Sequence, residues 1–211
     1  MAAIGIVLAS YLIGAIPFAN LFAHGTSGVD LRTVGTRTVS GSSLYKVAGF
    51  GPMAISGCLD LAKGAAAVAL AGRFDHPVTT ALAAAAAVAG HNWSPFIGGA
   101  GGRGVGVSLG ASAAYMWPGT VVLGSGMAVG RLAGHTGLGC FVAQIAIVPA
   151  LGAVYGSKGI LFGVCLMVPM LVKRVLGNEQ PERRDGRMYL SRLLFDRDDT
   201  SERVVTGAGP A

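Results

Sequence analysis

Six apolar stretches divide this chain, at about residues 2–23, 48–70, 77–97, 105–131, 136–155 and 159–172, and they constrain its fold more than any other feature. About 20 apolar residues in helical form span the ~30 Å hydrocarbon core of a bilayer. Inside that core every backbone N–H and C=O must be satisfied within the chain, which leaves helices for segments of this kind. Residues 1–29 contain no Asp, Glu, Lys or Arg, whereas residues 173–203 hold eight of the sixteen basic and seven of the ten acidic residues. Only 12% of the chain is charged, against roughly 25% in a soluble domain. The expectation is an all-α membrane protein: a transmembrane helical domain over 1–176 and a polar cytoplasmic C-terminal tail over 177–211, partly disordered. No basic region precedes the first stretch, so it reads as a retained span and not a cleaved signal.

The stretch 105–131 is 27 residues long, about 40 Å if continuous, which overshoots one crossing unless tilted. Pro118-Gly119 interrupts it. Two segments meeting there give a compact bundle of about seven transmembrane helices; one bent span gives six. Seven, with the N-terminus outside, put Arg32, Arg37, Lys46, Arg103, Arg131, Lys173 and Arg174 on the cytoplasmic side and leave Arg73 and Lys158 outside, as the positive-inside bias prefers. In the tail, one short amphipathic turn around Met188–Phe195 is expected to lie on the membrane, with disorder after Asp198.

Cys58, Cys140 and Cys165 stand singly in apolar segments without metal-ligand spacing, so buried thiols are expected, with no disulfide, metal or cofactor. The net charge of +6 is not gathered with aromatics into a nucleic-acid patch, and anionic lipid is the simpler partner.

Polar chemistry concentrates in three places. Gly90-His91-Asn92-Trp93-Ser94-Pro95-Phe96 leads into Gly98-Gly99-Ala100-Gly101-Gly102-Arg103-Gly104-Val105, a glycine-rich turn opening a helix; it fits either a tight interhelical turn or backbone amides and a cation offered to a phosphate oxygen. Asp60 and Lys63 share a helix face inside an uncharged span, which fits either a structural ion pair or a substrate contact. The first polar loop, Gly28 to Lys46, interleaves Arg32, Arg37 and Lys46 with hydroxyls of Thr33, Thr36, Thr38, Ser40, Ser42 and Ser43, a composition able to enclose a phosphate.

In this order, these pieces resemble the bacterial acyl-phosphate-dependent glycerol-3-phosphate acyltransferases, small seven-span membrane enzymes. The resemblance covers nearly all of residues 4–180 and is strongest at Ser10–Phe18, Asp30–Gly35, Asp60-Leu61-Ala62-Lys63-Gly64, Gly90-His91 and Gly101-Gly102-Arg103-Gly104-Val105. The first loop departs from the family's Gly-Ser-Gly-Asn-x-Gly-x-Thr-Asn: Gly35-Thr36-Arg37-Thr38-Val39-Ser40-Gly41-Ser42-Ser43 lacks both asparagines and two glycines, and Lys46 replaces an arginine. Further on, Ser94 stands at a proline position, Ala100 and Arg103 at two lysine positions, Val107 at a threonine and Met170 at an asparagine.

The resemblance implies transfer of a fatty acyl group from acyl phosphate to the sn-1 hydroxyl of glycerol 3-phosphate, giving lysophosphatidic acid in a bacterial plasma membrane. It casts His91, Arg103 and Lys46 as catalytic: Lys46 and Arg103, helped by Thr36, hold glycerol 3-phosphate, while His91 and the Gly101-Gly102 backbone address the acyl phosphate. Arg37, Ser40, Asp60, Lys63, Gly104, Asn178 and Glu179 complete the expected substrate contacts. No acid is paired with His91 in sequence, so a substrate phosphate oxygen is the expected proton acceptor. The changed first loop keeps a second reading open, a diverged relative that binds a phospholipid or phosphorylated ligand without catalysis. A channel or transporter fits less well, since no inverted repeat is visible.

Overall fold

The computed structural model describes residues 1–74, 76–178 and 186–196. Its helices are α1 (Ala2–Ala15), α2 (Phe18–Ser27), α3 (Gly41–Ala48), α4 (Phe50–Gly72), α5 (Pro77–Asn92), α6 (Val105–Tyr115), α7 (Pro118–Leu132), α8 (Thr136–Tyr155), α9 (Ser157–Leu176) and α10 (Gly186–Phe195). Among the described residues there is no strand. Four segments are long and apolar enough to cross a membrane: Ala2–Ser27, Phe50–Gly72, Thr136–Tyr155 and Ser157–Leu176.

The shorter α5, α6 and α7 are further passes, as their neighbours show. Ile6 of α1 packs with Ala83 of α5, Tyr11 lies against Gly90 and the Ala15 carbonyl meets Ser94 just beyond α5, so α1 and α5 run the same way. Helices α6 and α7 fold back on each other, with Gly119 opposite Ser112 and Thr120 Oγ1 donating to the Leu109 carbonyl at 3.2 Å. The 105–131 stretch is thus a hairpin of two segments, and seven passes alternate in direction. The break falls at Met116–Trp117, and Pro118 takes the first position of α7, where its missing N–H leaves no bond unmade.

Three expectations need correction. The 2–23 stretch is not one helix: Ile16 is extended (φ −59°, ψ 117°), and Pro17, which cannot donate to the ladder, separates α1 from α2. The first polar loop is not all loop: Ser40 accepts from the Ser43 N–H at 3.4 Å and caps the N-terminus of α3. The tail segment is not a turn lying on lipid alone: α10 docks on α8 and α9, with Met188 and Arg192 buried. The tail beyond Asp196, including the stretch expected to be disordered, lies outside the described residues. Among the cysteines, Cys140 is buried, Cys165 half-buried, and Cys58, against expectation, exposed on α4.

Small residues fill the interior. Ala67, Ala84, Ala87, Val107 and Ala111 are fully buried, whereas Leu8, Leu12, Ile55, Val121, Val142 and Ile160 are exposed on the outside. A soluble protein would reverse this, but in lipid helices gain little from apolar burial and associate through close approach. The tightest approach is between α4 and α6. A Cβ on Gly64 would stand 1.9 Å from the Val107 carbonyl oxygen, and one on Gly110 would stand 1.8 Å from that of Leu61.

Candidate active site

The break between α1 and α2 turns two carbonyls out of the helical ladder, and both are claimed by side chains from elsewhere. Ser94 Oγ donates to the Ala15 carbonyl at 2.6 Å, and Lys63 Nζ donates to the Ile16 carbonyl. Lys63 also reaches Asp60 Oδ1 at 2.7 Å and lies 4.7 Å from the centroid of the Phe18 ring. The same Asp60 oxygen stands 3.6 Å from His91 Nδ1. A buried charge without a partner is costly in this setting, and here Asp60 serves two partners, one from its own helix and one from α5. The three side chains line a small pocket with Ile16, Pro17, Phe18, Val39, Ser94 and Gly101.

The glycine-rich turn forms one wall of that pocket, and its geometry explains its composition. A Cβ on Gly101 would meet the His91 and Asn92 carbonyl oxygens at 2.3 Å, and one on Gly102 would meet His91 Nε2 at 2.2 Å. Only glycine lets the turn lie this close to the imidazole. Gly104, at φ +73°, caps α6, and Gly106 brings the first turn of α6 against Asp60, with room for no more than 3.2 Å between a Cβ and the Asp60 Cβ. The partial positive charge of a helix N-terminus favours a carboxylate there.

Two expected anion contacts are spent inside the protein. The Gly102 N–H donates to the His91 carbonyl at 3.1 Å, and the Gly101 N–H donates to Asn178 Oδ1 at 3.2 Å. Asn178 Nδ2 returns a bond to the Gly101 carbonyl at 2.9 Å. The Gly101 amide and Asn178 therefore tie the turn to the end of α9, and the Gly102 amide ties it to α5. Glu179 lies outside the described residues.

The loops after the first and third passes converge as expected: the Val39 N–H donates to the Gly101 carbonyl at 3.1 Å, and Arg32 Nη1 reaches the Ile97 carbonyl at 3.4 Å. No contact joins Lys46 to Arg103 among the described residues. Lys46 is exposed in the last turn of α3 and has no ion pair or hydrogen bond among the described residues, because the helix carries it outward. Thr36 Oγ1 donates to Thr38 Oγ1 at 3.2 Å, Ser40 is committed to its cap, and Arg37 is exposed with a left-handed φ of +54°. Arg103 is nearly buried, with Nη1 donating to the Lys173 carbonyl at 3.1 Å and Nε 2.6 Å from Asp196 Oδ1.

Asp30 stabilises the first loop in a pH-dependent way. Its carboxylate accepts from Arg32 Nη2 at 2.6 Å and from the Arg32 backbone N–H at 2.9 Å. The Arg32 guanidinium, foremost, holds its carboxyl well below the usual carboxylate range despite partial desolvation, with the Arg32 N–H and Asn20 assisting. A carboxyl depressed in the folded state contributes fully above its unfolded value near ~4 and loses that contribution as pH falls below it. Asp30→Asn is therefore expected to lower Tm at pH 7, and the gap from wild type should shrink as pH falls from 7 to 3; a constant gap would remove Asp30 as the cause.

Sequence reasoning missed Ser94, Lys173 and Asp196. Ser94 is visible only as a replaced proline, yet it anchors the turn to α1. Lys173 is buried at 1% exposure with Nζ 5.3 Å from the centroid of the Trp93 ring, although its sequence context suggests an interfacial charge. Asp196 gave no signal at all, because its importance depends on where α10 docks.

The family described as glycerol-3-phosphate acyltransferase matches residues 4–178. A glycerol-3-phosphate acyltransferase of Synechococcus sp. (strain CC9902) is 34% identical over 164 residues, covering 77% of this chain and 82% of that protein. One of Desulforudis audaxviator (strain MP104C) is 31% identical over 188 residues, covering 82% and 90%. The crystal structure of PlsY (YgiH), an integral membrane glycerol 3-phosphate acyltransferase in its glycerol 3-phosphate form, shares the fold with a TM-score of 0.75 at 22% identity, covering 98% of this chain and 100% of that one. The match runs from the first helix through Asn178, across every element of the pocket, and the chain belongs to the glycerol-3-phosphate acyltransferase family.

Proposed function

We propose that this membrane protein transfers a fatty acyl group from acyl phosphate to the sn-1 hydroxyl of glycerol 3-phosphate, releasing phosphate and giving lysophosphatidic acid for phospholipid synthesis. The observation that carries the reading, in a chain of this family, is the Asp60–His91 pair held against the glycine-rich turn. With Nδ1 facing Asp60 Oδ1 at 3.6 Å, the imidazole keeps its proton on that nitrogen and leaves Nε2 as an acceptor beside Gly102. The sn-1 oxygen attacks the acyl carbonyl carbon, its proton passes to Nε2, the bond from that carbon to the phosphate oxygen breaks, and phosphate leaves with the electron pair. A side-chain base thus takes the place of the substrate phosphate oxygen expected from sequence.

Arg103, the residue after the Gly102–His91 contact, holds the phosphate of glycerol 3-phosphate with a fixed positive charge. Lys63 holds Asp60 in position and keeps its charge balanced. Arg37 and Lys46, exposed on the segment that meets the turn through Val39, offer cations to glycerol 3-phosphate as it enters. The end of the bundle carrying Arg32, Arg37, Lys46, Arg103, Arg131, Lys173 and Arg174 faces the cytoplasm of a bacterial plasma membrane, with the N-terminus outside and the tail inside.

Purified protein given acyl phosphate and glycerol 3-phosphate is expected to release inorganic phosphate and form lysophosphatidic acid, with no turnover when acyl-CoA is the donor. Turnover with acyl-CoA alone would overturn the choice of donor. A flat trace with every donor would overturn catalysis and leave a ligand-binding relative.

A further inference from the structure

Arg103 is the cation of the glycine-rich turn, and a guanidinium is useful to a phosphoryl group only if its plane is fixed. Its five N–H groups point along three directions. The Lys173 carbonyl takes Nη1 at 3.1 Å, and Asp196 Oδ1 stands 2.6 Å from Nε. One hydrogen bond at Nη1 and one close ionic contact at Nε, on different nitrogens of one planar group, restrict its rotation, and Nη2 is the nitrogen with neither among the described residues. Either anchor alone would let the plane swing.

Asp196 is itself held in place at some cost. Its backbone is left-handed, φ +56°, a conformation uncommon outside glycine but tolerated best by Asn and Asp. The docking of α10 maintains it: Arg174 Nη1 donates to the Leu193 carbonyl at 2.7 Å, Arg192 Nη1 donates to the Leu176 carbonyl at 3.1 Å, and the Phe195 backbone closes over Gly137, where no Cβ would fit.

We propose that Asp196, from the C-terminal tail, is a positioning residue for Arg103: it fixes the guanidinium so that Nη2 is presented to the phosphoryl group of the substrate. This makes the tail helix part of the catalytic unit. The inference rests on the proposed function for the identity of that substrate.

The test is glycerol 3-phosphate binding by calorimetry, which reads the effect whether or not turnover occurs, together with KM and kcat where it does. Asp196→Ala is expected to raise Kd and KM for glycerol 3-phosphate about ten-fold, with kcat changed less. Asp196→Asn, which keeps an acceptor oxygen and suits the left-handed backbone, should show a smaller rise and serves if the alanine variant does not fold. In an Arg103→Ala background, where no cation is left for it to position, Asp196→Ala should add no further loss of affinity. An unchanged or tighter Kd in Asp196→Ala, or an equal loss in the Arg103→Ala background, overturns the proposal. Wild-type protein that binds glycerol 3-phosphate without turnover fails the proposed function and leaves this inference to be decided by the variants; wild-type protein that does not bind it sinks both.

Discussion

Replacing His91 with alanine is expected to lower kcat by about 10²–10⁴-fold, the usual contribution of a positioned general base, while the protein stays folded. The variant is clean because Asp60 keeps its second partner: Lys63 Nζ remains 2.7 Å from Oδ1 and is also held by the Ile16 carbonyl. Asp60→Ala would be a poorer probe, since it strands Lys63, 3% exposed, as an uncompensated buried charge at a cost of about 3–5 kcal/mol. The check is single-turnover acyl transfer beside glycerol 3-phosphate affinity. A His91→Ala enzyme with wild-type kcat would return the proton to a substrate phosphate and strip the Asp60–His91 pair of its proposed role. Unchanged affinity with collapsed kcat would mark His91 as acting in the chemical step.

The second large effect is on stability. Gly110→Ala is expected to lower Tm by roughly 6–12 °C, from about 3 kcal/mol of overpacking at ~2–4 °C per kcal/mol for a chain of this size. The added methyl would stand 1.8 Å from the Leu61 carbonyl oxygen, and neither helix can yield without losing the Gly64 contact on the same face. Gly57, also on α4, has nothing within 4 Å of its would-be Cβ, and Gly57→Ala should be neutral or mildly stabilising through its better helix propensity. Equal Tm values for the two variants would mean that α4 and α6 are not in contact as described.

The same contrast between local and distant information explains what the amino-acid sequence discloses. The interruption at Pro118-Gly119 is legible because proline sits in the middle of an overlong stretch. Pro17 hides in a stretch of ordinary length, since hydropathy records only what lipid accepts and not where the backbone breaks. Helix α3 had its start and stop in view, Ser40 and Gly49, but a hydroxyl-rich segment reads as loop until Leu44 is known to be buried. Arg37 carries a quieter signal: it stands where the family pattern has glycine, and its φ of +54° is one that glycine favours. The Asp60–His91 and Arg103–Asp196 contacts join positions 31 and 93 apart. Such pairs are set by how helices dock, which one sequence does not encode in any local pattern.

The buried Arg174 has a bearing on how the protein is made. Its guanidinium is shared between the Gly137 carbonyl, at 2.8 Å, and the Leu193 carbonyl, at 2.7 Å, and the second of these partners leaves the ribosome only after α1 to α9 have been made. Until then, the newly inserted bundle holds a half-satisfied cation at the rim that α10 later covers. Helix α10 thus acts as a late fastener, and nascent proteins stalled short of it should be the ones a quality-control protease removes first.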